Sequence, residues 1–318
     1  MMTLSKLAKL AHVSLSTASK AFSMSSEVNE ETREMIFELA REHGCFKKFY
    51  NAKYPKLVIA VICPEFKSRY YSSLVSSIQE TLSGMNCEIC VASTDFSKKS
   101  RAELFDYYNN YSNVDGIILI DSGSDITKEN NVPVVTTGKP TENTVSVSSN
   151  SSTGIELAID YFLSKNVCDI GFIGEERTFS KLKAFREHLI KNDIEPNENY
   201  ISISKERMER GGYEAMDKLL SQNSKPRGII CAYDCMAIGA MRCILDHGLR
   251  IPCDIAVIGM NNNRESEFLN PPLSSVDLCA EEIGRKMSEA IINKLMGVEC
   301  KEEIVVKPKL ILRKSSEI

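Results

Sequence analysis

Past Lys56 the chain repeats one pattern: a short, almost wholly apolar run followed by a polar–apolar segment of helix length. The runs are "KLVIAVIC", "CEICVAST", "DGIILID", "NVPVVTTG", "CDIGFIG", "NYISIS", "RGIICAY" and "DIAVIGM". Runs this short and this apolar read as strands buried on both faces, the mark of a parallel sheet. Segments such as "YSSLVSSIQETLSG" and "GGYEAMDKLLSQ" supply the crossover helices that parallel neighbours require. Two doubly wound α/β lobes accommodate these units, with a ligand crevice at the C-terminal ends of the strands. A chain of 318 residues is also longer than one ordinary core supports.

The same runs exclude several chemistries. Neither GxGxxG nor GxxxxGK(S/T) follows any of them, so dinucleotide and nucleoside triphosphate binding lose support and no cofactor is expected. No stretch approaches the ~18 apolar residues of a membrane helix. Met1 to Ala11 is amphipathic, unlike a signal peptide, which points to a cytoplasmic protein. The 11 cysteines are scattered through strand-like and helical runs and read as reduced, buried thiols. Cys87 and Cys90 form a CxxC inside a strand-like run rather than at a helix start, so packing is their expected role. His12, His43, His188 and His247 show no ligand spacing, and no metal is expected.

The first 56 residues have a different character. They carry nine Lys and Arg against six Glu, a surplus of three positive charges, which leaves −7 on the remainder of a chain whose total is −4. A basic head on an acidic body fits a small module that meets a polyanion. "TLSKLAKLAHVS" reads as a helix capped by Thr3, with Leu4, Leu7, Ala8 and Ala11 on one face and His12-Val13 as the turn. Ser14 caps the next helix, in which Ala18, Ala21 and Phe22 form one apolar stripe. Leu15, Ser16, Ser19, Lys20 and Ser23 share the opposite face. A helix entering the major groove needs small side chains, hydroxyls for phosphate oxygens and a cation for a base edge or phosphate. A merely solvated face would look much the same. A third helix in "VNEETREMIFELAREHG", capped by Asn29 with Met35, Ile36, Leu39 and Ala40 inward, completes a helix-turn-helix module.

"TLSKLAKLAHVSLSTASKAFS" followed by "VNEETREMI" resembles the DNA-binding head of the lactose-repressor (LacI/GalR) family of bacterial transcription regulators. The likeness continues in "GYEAMDKLL", "YDCMAIGAMRCILDHGLRIPCDIAVIGMNN", "NPPLSSVDLCAEEIG" and "PKLILRKSS", and so spans nearly the whole chain. It implies a helix-turn-helix head over 1–44, a linker over 45–56 and a two-lobed periplasmic-binding-protein-like body over 57–318. The N-lobe is expected at about 57–148 plus 277–300, and the C-lobe at about 149–276 plus 301–318. The implied molecule is a homodimer that binds a pseudo-palindromic double-stranded operator as a repressor of a carbohydrate or related catabolic operon, and answers to a small molecule between the lobes. The closing residues carry no heptad segment for tetramer assembly. Leu15, Ser16 and Lys20 stand at the family's base-reading positions, with Lys20 in place of the more usual Arg. Thr3, Thr17, Ser19, Ser23 and Thr32 stand where phosphates are commonly met, although helix capping explains these hydroxyls equally well. With Ser14 and the linker's Lys47 and Lys48, they complete the expected DNA-facing set.

The chain also departs from the family. The linker "CFKKFYNAKYPK" lacks the usual hinge-helix sequence, and Pro55 would end any helix at Tyr54. Phe49 or Tyr54 would then have to wedge into DNA in place of the usual Leu, or Lys47, Lys48, Lys53 and Lys56 would simply track phosphates. Tyr70, Tyr71, Asp121, Lys181, Tyr233 and Asn261 are the expected effector-site residues. Lys181 stands where the family has a clamping Arg, Tyr233 where it has Asn, and Asn261 and Gly138 where it has Asp. Two accounts follow: a pocket shifted toward a less hydroxylated or anionic sugar derivative, or a body that only dimerises. A free-standing sugar-binding module is a further reading, opposed by the attached head. An enzyme is not expected, since no nucleophile–base pair accompanies Asp234 and Glu175.

Overall fold

The structure is a computed structural model that describes residues 3–46, 56–85, 87–120, 130–141, 143–222 and 224–318. Two compact units divide near Leu57. The first is a three-helix head of α1 (Leu4–Leu10), α2 (Leu15–Phe22) and α3 (Glu30–Glu42). Its core gathers Leu7, Ala11, Ala21, Phe22, Ile36, Phe37 and Ala40. Phe37 takes the inward place expected of Met35, which is 40% exposed. The inward stripe of α3 is centred on Ile36, Phe37 and Ala40, which leaves Met35 outside it. The head also runs past residue 44, because Cys45 is buried in its core and the Phe46 ring stands edge-on to Phe37 at 5.0 Å.

The second unit carries two six-stranded sheets. Its elements are β1 (Leu57–Cys63), α4 (Arg69–Gly84), β2 (Cys87–Ser93), α5 (Lys98–Asp106), β3 (Gly116–Leu119), β4 (Val134–Thr136) and β5 (Thr144–Ser149). There follow α6 (Ser151–Ser164), β6 (Ile170–Glu175), α7 (Phe179–Lys191), β7 (Ile201–Ser204), α8 (Met208–Leu220), β8 (Gly228–Cys231) and α9 (Asp234–Asp246). The chain closes with β9 (Ala256–Met260), β10 (Ser274–Asp277), α10 (Ala280–Leu295), β11 (Glu303–Val306) and β12 (Lys309–Ile311). The N-lobe sheet has the order β11-β5-β4-β3-β1-β2 and the C-lobe sheet β12-β10-β9-β8-β6-β7. Every expected apolar run is a strand. Ile59 to Cys63, Ile117 to Leu119 and Ile229 to Cys231 are at most 1% exposed, as strands covered by helices on both faces must be.

The last crossover between lobes differs from expectation. Residues 301–306 belong to the N-lobe, because β11 runs parallel to β5 in the register Glu303 to Ser146. Only β12 returns to the C-lobe, antiparallel to β10. Cys87 and Cys90 lie on opposite faces of β2, each in a different apolar cluster, and all eleven cysteines are free. No described helix is long and apolar enough to cross a membrane.

Helices α8 and α9 approach so closely that their glycines are obligatory. A Cβ on Gly212 would stand 1.9 Å from the Met236 carbonyl oxygen, and one on Gly239 would stand 1.8 Å from that of Glu209. Neither neighbour is a flexible side-chain end, so only a shift of one helix relieves the clash. Gly239→Ala is therefore expected to destabilise by about 3 kcal/mol or more, beyond ordinary overpacking. Gly84→Ala, with nothing within 4 Å of the added carbon, is the control. Equal urea midpoints for the two variants would contradict this account.

Candidate functional site

The head presents the face that its sequence implies. Thr3 caps α1, its hydroxyl accepting from the Lys6 amide at 3.3 Å, and Ser14 caps α2 by accepting from the Thr17 amide at 2.9 Å. Asn29 caps α3 through the Thr32 amide at 2.8 Å. These bonds fill orphan helix-end donors and set the entry of each helix. The Thr17 and Ser14 hydroxyls also pair at 2.8 Å. Ala18, Ala21 and Phe22 are at most 1% exposed, whereas Leu15 is 53% exposed and Ser16, Ser19 and Ser23 lie open beside it. Ser23 donates back to the Lys20 carbonyl at 3.1 Å. One partner was not anticipated: the Lys20 ammonium is hydrogen-bonded to the carboxylate of Glu27 in the following turn. An exposed pair of this kind contributes little to stability, but it steers the one cation on the exposed face of α2. The expected contributions of Lys47, Lys48, Phe49, Lys53, Tyr54 and Asp121 lie outside the described residues.

In the second unit a cavity of about 610 Å³ opens where the strands of both sheets end. The residue types that line it follow from that placement. Tyr70 and Tyr71 open α4 after β1, Ser149 ends β5, and Lys181 lies in α7 just past β6. Arg207 follows β7, Tyr233 follows β8 and Asn261 follows β9. The described members of the expected effector set are thus brought together. Tyr70 and Tyr71 stand edge to face at 5.4 Å, and burial pushes the Tyr70 phenol up to about 12. Asn261 holds φ 105° while its amide bonds the Val276 carbonyl at 2.8 Å, which ties the turn after β9 to β10.

Lys181 is 8% exposed, its ammonium donating to the Ala232 carbonyl at 2.7 Å and lying 4.4 Å from the Tyr233 ring centroid. Burial holds its pKa down to about 8 against the opposing pull of Asp234, Cys235 and Glu175. The Tyr233 hydroxyl donates to Glu175 at 3.0 Å, and burial, reinforced by that carboxylate, raises the phenol well above its ordinary value. Asp234 is fully buried and accepts from Ser275 at 2.6 Å, from the Asn263 amide at 2.6 Å and from Ser266 at 3.2 Å. Burial still lifts its pKa to about 6. Asp234 therefore anchors the 261–266 turn, and the oxygens of Glu175 are likewise engaged by Tyr233 and the Arg177 amide.

Several cavity residues escaped the sequence reading. Arg207 sets a bidentate fork on Glu65 of the other lobe, at 2.9 and 3.1 Å, and its Nε stands 3.8 Å from Glu175. Phe96, just after β2, has the Arg177 guanidinium 4.3 Å and the Arg207 guanidinium 4.9 Å from its ring centroid. Lys98 and Arg101 also line the space, so a cavity in which the sequence pointed to Lys181 as the cation carries five. All of these residues follow strand ends, which is the signal that would have found them. One metal-like grouping also appears where none was expected: Asp217, Cys243 and His247 come within ligand distance of one another. Burial pushes the Cys243 thiol up to about 11, and His247 Nδ1 already meets the Cys243 carbonyl at 2.9 Å. A helix-end histidine accounts for this geometry.

The buried Lys181 makes stability depend on pH. Between about 8 and 10.5 the unfolded chain holds a proton on this lysine that the folded chain has lost, so stability from this group rises with pH. Relative to Lys181→Met, the parent is expected to gain roughly 2–3 kcal/mol between pH 7 and 10. Urea denaturation of both proteins at the two pH values measures the difference. A difference that does not change with pH would show the ammonium to be unstrained.

Comparison with known proteins agrees with this architecture. Residues 159–316 match the "Periplasmic binding protein-like domain". Over 329 residues the chain is 30% identical to the Bacillus subtilis (strain 168) protein named "Probable HTH-type transcriptional repressor ExuR", covering 96% of this chain and 95% of the relative. The solved transcriptional regulator CelR–cellobiose complex superposes with a TM-score of 0.70 at 24% identity, covering 99% of this chain and 100% of that one. The lac repressor dimer bound to operator and the anti-inducer ONPF gives a TM-score of 0.70 at 19% identity, covering 99% of both chains. These two likenesses establish the fold, and the longer sequence match establishes the kinship. The chain belongs to the LacI family of helix-turn-helix transcriptional regulators.

Proposed function

We propose that this regulator is a cytoplasmic, homodimeric repressor whose grip on a pseudo-palindromic operator is set by a small molecule in the inter-lobe cavity, and that it is not an enzyme. The reading helix is α2. Leu15, Ser16 and Lys20 meet base edges, and the hydroxyls of Ser19 and Ser23, with those of Thr3, Ser14, Thr17 and Thr32, approach phosphates. The observation that carries this reading is the division of α2 into a buried Ala18/Ala21/Phe22 stripe and an exposed face of small, hydroxyl and cationic side chains. Small residues allow the backbone to approach the groove, and a lysine supplies one charged donor without the fork of an arginine. Aromatic walls at Tyr70, Tyr71 and Tyr233 suit a sugar-sized ring, in keeping with the cellobiose held by the CelR neighbour. A second reading, a body that only dimerises, draws on the fact that Lys181 and Arg207 already bond protein groups.

Lys20→Ala is expected to cost about 1–3 kcal/mol of operator affinity and to relax preference at one position per half-site. Fluorescence anisotropy against single-base variants of the region upstream of its own gene measures both. A uniform loss across all sequences, with a salt slope lower by about one, would assign Lys20 to phosphate instead. Unchanged affinity for every DNA would remove α2 from the groove. A fragment beginning at Val58, the start of the second compact unit, should unfold cooperatively and scatter light as a dimer while losing operator binding. A monomeric fragment would place the dimer contacts in the head or linker.

A further inference from the structure

We infer that the cavity takes an anionic ligand of monosaccharide size, and that Arg177 and Arg207 hold its carboxylate or phosphate group. The inference rests on the reading of this cavity as the effector site. Five cationic side chains line the space, Lys98, Arg101, Arg177, Lys181 and Arg207, and among the described residues no Asp or Glu does. Glu65 and Glu175 offset the charge of Arg207, and Asp234 and Glu175 part of that of Lys181, so the potential that favours an incoming anion rests chiefly on Arg177.

The individual groups differ in what remains available. Lys181 contributes field rather than contact, since its ammonium lies beside the Tyr233 ring and is already engaged by the Ala232 carbonyl. Arg177 is different: among the described residues no carboxylate stands within ion-pair distance of its guanidinium, whose recorded partner is the face of Phe96. Arg207 has its fork on Glu65, yet its Nε is buried without a hydrogen bond. The Ser149 hydroxyl, at the end of β5 and across the N-lobe sheet from β1 and β2, is also buried without a hydrogen bond. Buried polar atoms are nearly always satisfied, so these two orphans among the lining residues mark separate places for polar groups of a ligand.

The guanidinium carbons of Arg177 and Arg207 lie 4.3 and 4.9 Å from the centroid of one ring, that of Phe96, so both border the same part of the cavity. Planar forks match the oxygen geometry of carboxylate and phosphate groups, and charge-assisted bonds of this kind are about twice as strong as neutral ones. A ligand acid group reaching Arg207 also competes with Glu65, the N-lobe end of the inter-lobe pair.

The test uses the full chain and compounds that differ mainly in charge: glucose, glucuronate, glucose 6-phosphate and inorganic phosphate, at matched ionic strength. At about 100 times its dissociation constant, a bound anion should raise the melting temperature by about 5 °C or more. Glucuronate and glucose 6-phosphate distinguish a carboxylate from a phosphate. Arg177→Gln, at an exposed side chain on which the core does not depend, should weaken anion binding at least tenfold by calorimetry, whereas Lys218→Gln, at an exposed lysine of α8 outside the cavity, should leave it unchanged. Anion binding that survives Arg177→Gln intact overturns the assignment. So does a melting shift from glucose with silence from all three anions, an outcome that keeps the cavity as the effector site. Silence from every compound overturns this inference together with the reading on which it rests.

Discussion

A parallel strand buried on both faces must hand its chain to a helix at each end, and this requirement organises the whole body of the protein. Helix packing covers both faces, so the only backbone left near solvent lies at the strand termini. The cavity residues lie at a strand's C-terminal end or in the loop and first helical turns that follow it. The same demand explains the glycines of α8 and α9. Helices covering one sheet face must lie close together, and at Gly212 and Gly239 the backbone of one helix occupies the space a Cβ would need.

The cavity concentrates ionisable groups at a cost that the surrounding fold must offset. Asp234 is satisfied by two serine hydroxyls and a backbone amide, and burial still lifts its pKa to about 6. Lys181 loses part of its hold on a proton for the same reason. Ionic groups in such places seldom add net stability. Their retention is better understood through position: Asp234 holds the 261–266 turn, Glu175 orients Tyr233, and Arg207 joins the two lobes through Glu65. Because α10 and β11 return to the N-lobe after β10, the lobes are linked covalently by several crossings as well as by these contacts.

The head solves a smaller problem with fewer means. Its core depends on a cluster of three phenylalanine rings, Phe22, Phe37 and Phe46, and its helix entries on three side-chain caps. With those positions assigned, the remaining face of α2 is free of packing duties. The pairing of Lys20 with Glu27 shows that even this face is preorganised by a residue outside the helix.

How much was legible beforehand depends on how local the cause is. The caps at Thr3, Ser14 and Asn29, the stripe of α2 and the eight apolar strands follow from residues within a turn or a run of each other, and each appears in the structure as its spacing implies. β5, β10, β11 and β12 were not anticipated, since "TVSVSS", "SSVD", "EIVV" and "KLI" are too polar or too short to stand out, and their partners confer their strand character. Phe37 displaced Met35 because helix α3 rotates to meet the other two helices, a choice that its own periodicity leaves open. The cavity's charge was the least legible feature. Arg207 and Glu65 are 142 residues apart, and Phe96 meets two arginines from the other lobe. The sequence by itself determined the eight apolar strands and the capped helices of the head, because hydrophobic periodicity and capping are local. Only the tertiary structure decided which cations share one wall, because that depends on how two sheets bring their strand ends together.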